Sequence, residues 1–139
     1  TMVDGAEALR TQLQDCNEVS GPIFKIKHDP RITRVGRYLR KTSLDELPQL
    51  YNVLKGDMSL VGPRPLPLIE SSQITGWERR RLSMKPGITG MWQCNGRSHS
   101  HYEHLIQMDL EYVDNWSLLL DLKLLIKTIP VVVRCKGAM

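Results

Sequence analysis

The chain has 139 residues, 41% of them hydrophobic and 24% charged. That balance suits one globular domain over 1–139 and excludes a disordered chain. The 19 Lys and Arg against 15 Asp and Glu leave a net charge of +4, which favours an anionic partner such as nucleic acid, acidic lipid or phosphate. Cys16, Cys94 and Cys135 are far apart with no CxxC, which argues against a disulfide framework or a Cys-based zinc site. The longest apolar run, 118–133, is broken by Asp121, Lys123, Lys127 and Pro130, so it does not read as a spanning helix.

In chain order, Met2, Ala6, Leu9 and Leu13 make a helical stripe that ends before Ser20-Gly21-Pro22. IFKIK (23–27) alternates apolar and basic residues and reads as a short strand. Segment 29–43 gathers Arg31, Arg34, Arg37, Arg40 and Lys41; Asp29-Pro30 offers a helix start, and Ile32, Val35 and Leu39 give an apolar side. A further helix runs over 43–56, with Leu47, Leu50, Tyr51 and Leu54 on one face and Gly56 as its stop. Residues 56–67 read as a loop. A polar, Arg-rich helical segment follows, ending near Met84, and 85–93 holds a Pro-Gly turn and a short strand. Residues 94–101 are a loop. Tyr102, Leu105, Ile106, Tyr112, Val113 and Trp116 line one face of a helix, with Asp109 in its middle. The last helix, 117–129, is apolar enough for a core or an interface. The fold class is therefore a helix-rich α+β single domain with short strands.

Asp45 and Glu46 are adjacent acids at a helix start. Ser43-x-x-Glu46 can be a capping box, although Pro48 then kinks the start or moves it nearer Asp45. The same carboxylates, just after a run of Arg, suit phosphate chemistry with Asp45 as an ionised nucleophile. Arg64, fixed between Pro63 and Pro65, presents a guanidinium fork that suits phosphate, or else a turn with an exposed Arg; Arg97 is a weaker case. Arg79-Arg80-Arg81 reads as solvated surface. His99, His101 and His104 form an HxHxxH cluster without a second ligand group, which argues against a metal. Asp109 on an apolar face must be paired or used.

LDELPQL (44–50), GDMSLVGPRP (56–65), KPGITGMWQCNGRS (85–98) and DLEYVDNWSLLLDLK (109–123) together resemble the bacterial sugar transferase family, the monotopic polyprenyl-phosphate phosphoglycosyl transferases. The resemblance runs from 29 to 130. It implies transfer of a sugar-1-phosphate from a UDP-sugar to undecaprenyl phosphate with release of UMP, at the start of exopolysaccharide, O-antigen or other glycan assembly. It implies Asp45 as the nucleophile of a phosphosugar-enzyme intermediate and Glu46 as the residue associated with Mg²⁺. Arg40 and Arg64 match family positions suited to phosphate contacts, Arg97 stands beside them as a substrate-binding candidate from its own pattern, and Asp109 matches a family acid and is a metal or substrate-site candidate. It also implies amphipathic helices on the inner-membrane lipid surface, at the cytoplasmic face, with a homo-oligomer left open. The family's N-terminal re-entrant helix has no counterpart in this sequence, which opens on Thr1-Met2 and reads as the catalytic part of a longer protein. Cys94 stands where the family more often has an aliphatic residue. The rivals are a basic nucleic-acid-binding module using 31–41, which leaves Asp45-Glu46 repelling phosphate, and an interaction domain in which the dyad is a cap.

Overall fold

The computed structural model describes residues 1–18, 24, 26, 28–95 and 102–133. The described elements are helix-rich, as expected: α1 (Ala6–Gln12), α2 (Arg34–Lys41), α3 (Leu47–Lys55), α4 (Leu68–Ser72), α5 (Met91–Cys94), α6 (Tyr102–Asp114) and α7 (Leu118–Val133). Two strands, β1 (Ser59–Val61) and β2 (Gly87–Thr89), pair in parallel with Ser59 opposite Gly87 and Val61 opposite Thr89. β2 is the strand expected after the Pro-Gly turn. β1 corrects the reading of 56–67 as loop throughout: three residues are too few for an alternation to register. Of IFKIK, Ile23, Lys25 and Lys27 lie outside the described residues, and Phe24 and Ile26 are not in a strand.

The N-terminal segment also departs from its expected form. Met2 is not part of the first helix; it makes an antiparallel bridge with Ile32. Val3 N–H donates to the Arg31 carbonyl at 2.9 Å and Thr33 N–H to the Thr1 carbonyl at 3.1 Å. That pairing requires extended backbone at 31–33, so Asp29-Pro30 does not start α2. Asp29 instead accepts the Arg31 N–H at 2.9 Å, an Asx turn. The Asp29 carboxylate is also gripped by the Arg31 guanidinium, with Oδ2 2.6 Å from Nη2. Thr33 caps α2, its hydroxyl accepting the Gly36 N–H at 2.9 Å.

Cation stacking and an ion pair fasten this layer to the rest. The Arg10 and Arg31 guanidinium groups lie 5.1 and 4.8 Å from the Phe24 ring centre. Glu70 on α4, itself buried, accepts from Arg10 Nη2 at 3.0 Å and from the Phe24 N–H at 3.2 Å.

The core has two parts. Ile74, Tyr102, Leu105, Ile106 and Leu110 form one, with Leu66 and Trp92 against it. Val61, Tyr112 and Leu124 form the other, joined by Met84, Met91 and Val113. α7 packs on both strands, yet among its described side chains only Leu124 is buried; Leu118, Leu122, Ile126 and Ile129 are exposed. The apolar face read on α3 is likewise uncovered, with Leu47, Leu50, Tyr51 and Leu54 all exposed. Among the described residues no helix is long and apolar enough to cross a membrane.

Two consequences can be measured. A Cβ at Gly36 would lie 1.9 Å from the Thr1 carbonyl oxygen, so Gly36→Ala must push the bridged N-terminal segment off α2 and is expected to cost about 1–3 kcal/mol in urea unfolding. A wild-type midpoint in that variant would show that the N-terminal segment is not docked there. Arg31 holds the Asp29 carboxyl below its ordinary 3.8. The stability it contributes is therefore present above that value and is lost as pH falls through the lowered folded value. The destabilisation by Asp29→Asn, followed by thermal melts from pH 7 to pH 2, is expected to shrink below that ordinary value; a gap that stays constant to the acid end would contradict the pairing.

Candidate active site

Between α2 and α3 the chain makes a tight passage. Ser43 has φ of 56° and is the one non-glycine residue with positive φ among those described. Its N–H donates to the Arg40 carbonyl at 3.0 Å, which closes the end of α2, and a 3₁₀ turn over Leu44–Glu46 follows. The Ser43 side chain makes no cap hydrogen bond, so the capping box does not form. The physical cause lies in Pro48. Pro has no N–H and suits only the first turn of a helix, so α3 begins at Leu47 and leaves Asp45 and Glu46 in the turn ahead of it. Both carboxylates are half-buried. Among the described residues neither makes a hydrogen bond or an ion pair. The turn packs back on α2, whose half-buried Arg40 is close enough to Asp29 to help hold that carboxyl down.

A second group forms where α6 faces the 3₁₀ segment Gly76–Ser83. Asp109, 1% exposed, takes Arg81 Nε at 3.0 Å and Nη2 at 2.5 Å on Oδ2. The Arg64 N–H reaches its Oδ1 at 3.4 Å. Burial pushes the Asp109 carboxyl above its ordinary value, and the Arg81 and Arg64 groups pull it back. The Arg64 guanidinium lies 5.1 Å from the Trp92 ring centre. Gly62, which leads into this turn, donates its N–H to the Thr89 carbonyl at 2.9 Å; a Cβ there would sit 2.4 Å from the Lys85 carbonyl oxygen. Beside Arg64 is a cavity of about 200 Å³ between Pro63, Leu66, Leu82 and Pro86. On α5, Trp92 Nε1 and the Gln93 side-chain amide are buried with no hydrogen-bond partner among the described residues.

The structure thus places Asp45 and Glu46 together in one turn, and sets the Arg64 turn against Asp109 of α6; α3, Gly56 and β1 lie between the two turns in the chain. Arg97, His99 and His101 lie outside the described residues. No group of three or more His, Cys, Asp or Glu able to hold a metal occurs among the described residues. Arg81 corrects the reading of Arg79-Arg80-Arg81 as solvated surface: it is 3% exposed. The available signal was Asp109 itself, because a carboxylate on an apolar helix face demands a cation, but three consecutive arginines gave no means of choosing among them.

Over most of its length the chain is similar to known proteins. The model of the bacterial sugar transferases matches residues 1–135. The chain belongs to that family. Galactosyl transferase CpsE of Streptococcus agalactiae is 46% identical over 134 residues, 96% of this chain and 30% of its own length. The undecaprenyl-phosphate galactose phosphotransferase of Salmonella typhimurium is 55% identical over 115 residues, 83% of this chain and 24% of its own length. ExoY of Rhizobium meliloti, an exopolysaccharide production protein, is 46% identical over 114 residues, 82% of this chain and 50% of its own length. The chain thus spans between about a quarter and a half of the relatives it matches. The matched sugar transferase stretch contains Arg40, Asp45, Glu46, Arg64, Arg81 and Asp109.

Removing one partner of a buried ion pair strands the other in a low-dielectric interior. Arg81→Ala is therefore expected to destabilise this sugar transferase domain by about 3–5 kcal/mol, whereas Arg79→Ala, at an exposed site, is expected to stay within about 0.5 kcal/mol of wild type. Equal denaturation midpoints for the two variants would contradict the burial of Arg81.

Proposed function

We propose that this chain is the catalytic part of an enzyme that transfers a sugar-1-phosphate from a UDP-sugar to undecaprenyl phosphate, releasing UMP. The observation that carries the reading is the Asp45-Glu46 turn: two adjacent half-buried carboxylates, unpaired among the described residues, packed against an Arg-rich helix. The printed names of the relatives support the reaction class, since the Salmonella protein is an undecaprenyl-phosphate galactose phosphotransferase. One Escherichia coli relative, 45% identical, is a UDP-glucose:undecaprenyl-phosphate glucose-1-phosphate transferase.

In the first step an Asp45 carboxylate oxygen attacks the phosphorus that bears the sugar. The bond from that phosphorus to the bridging oxygen breaks, and UMP leaves with the electron pair. The sugar phosphate is then held on Asp45 as an acyl phosphate. In the second step a phosphate oxygen of undecaprenyl phosphate attacks the same phosphorus, the bond to Asp45 breaks, and the carboxylate is regenerated. Partial burial of Asp45 limits competing water, and the turn ahead of α3 keeps the carboxylate off the helix ladder and open to attack. Arg40, Arg64 and Arg97 serve as phosphate contacts.

Mg²⁺ suits the donor set at this turn, because it binds through one or two carboxylates together with substrate phosphates. Glu46 would hold it, beside Asp45, and it would neutralise diphosphate charge. Asp109 suits it less well, since Arg81 and the Arg64 N–H already engage both of its oxygens. The exposed apolar residues of α3 and α7, with the basic side chains of α2, suit a domain lying on the anionic cytoplasmic face of the bacterial inner membrane.

The test is UMP release by the full-length protein that carries this chain, supplied with UDP-sugars, undecaprenyl phosphate and Mg²⁺. Wild type is expected to release UMP, and a folded Asp45→Asn variant to fall by at least about a thousandfold. Release that survives in Asp45→Asn would return Asp45 to a structural role in the turn.

A further inference from the structure

We infer that Arg81 and Asp109 are positioning residues for Arg64: they grip the main chain of the single residue between Pro63 and Pro65 and so set where its guanidinium meets the donor diphosphate. The inference rests on the reading of Arg64 as a phosphate contact. Pro63 and Pro65 have no N–H, so Arg64 carries the one main-chain donor of the three, and Asp109 Oδ1 accepts it at 3.4 Å. The Arg64 carbonyl in turn accepts from Arg81 Nη2 at 2.5 Å. Arg81 and Asp109 are bonded to each other through Nε and Nη2 on Oδ2, so one buried ion pair holds both polar main-chain groups of Arg64.

Three features say that this arrangement serves geometry. A buried ion pair is no more stabilising than well-packed apolar residues of the same volume, so burial alone gives no reason for charges here. The two proline rings restrict φ on either side of Arg64, which leaves rotation of the whole turn as the freedom to be removed, and bonds to its N–H and carbonyl remove it. The Trp92 ring lies below the guanidinium, so the side chain is supported as well. A fork held at both ends loses less conformational entropy when it binds phosphate oxygens.

The full-length protein in detergent is titrated with inorganic pyrophosphate, standing for the donor diphosphate, and binding is read by calorimetry. The proteins are wild type, Arg64→Ala, Asp109→Asn, Arg81→Lys, and Arg64→Ala combined with each of the last two. Thermal melts fix a temperature at which all are folded. With Arg64 present, Asp109→Asn and Arg81→Lys are each expected to weaken pyrophosphate about tenfold or more; in the Arg64→Ala background each is expected to change it less than about twofold. Equal losses in both backgrounds would overturn the inference, as would wild-type affinity in Asp109→Asn or no binding by wild type. Should Arg81→Lys fail to fold, Asp109→Asn, which keeps the side-chain shape, decides alone. UMP release separates this from the reaction: the expected pyrophosphate pattern without any UMP release by wild type would sink the Asp45 chemistry and leave the positioning role standing.

Discussion

A carboxylate with 1% exposure in the middle of α6 constrains much of what surrounds it. Taking Asp109 out of water costs several kcal/mol unless a cation and hydrogen bonds go with it. Arg81 is that cation, and reaching Asp109 requires the 3₁₀ segment Gly76–Ser83 to lie along α6. Tyr102 adds a second tie between the same two elements, its hydroxyl donating to Glu78 at 2.6 Å. Once that segment is seated, its guanidinium meets the carbonyl of Arg64, and the Pro-Arg-Pro turn is held against the helix. The polar contact is thus an organiser of position more than a source of stability.

The two-stranded sheet does the complementary work from the other side. Parallel strands need a crossover, and here it contains α4 and the 3₁₀ segment that carries Arg81. The pairing of β1 with β2 places Gly62 against Thr89 and delivers the Arg64 turn at the end of the first strand. α7 packs on both strands, Leu124 against Val61 of β1 and the Thr128 hydroxyl 2.7 Å from that of Thr89 on β2, while its opposite side stays apolar and exposed. The exposed apolar faces of α3 and α7 are what the proposed docking on a lipid surface would cover.

The two polar groups of the site are therefore built by different means. Asp45 and Glu46 owe their place to local chain geometry: an α_L residue at Ser43, a 3₁₀ turn, and a proline that forbids the helix from starting earlier. Arg64 and Asp109 owe theirs to tertiary packing among β1, α6 and the crossover. In the reaction proposed above, Asp45 would be held by local geometry and Arg64 by long-range pairing, so the turn that carries the carboxylate would keep its place through both steps.

The helix-rich class, the strand after the Pro-Gly turn, the stop of α3 at Gly56 and the helix over 102–114 were legible in the sequence, because periodicity, Pro and Gly act within a few residues. So was the family, through four ordered motifs. The Asp45-Glu46 pair could be read either as chemistry or as a cap, and Pro48 was the local clue against capping. Other features were set by partners far along the chain. Met2 became a bridge because residues 31–33 were available to pair with it. The face of α3 stayed open because no described element covers it. Sequence alone determined which residue types could do the chemistry and that Asp109 needed a partner. Only the tertiary structure chose Arg81 out of three neighbouring arginines and joined it to Arg64, because burial and the meeting of residues 28 positions apart are properties of packing and leave no local mark.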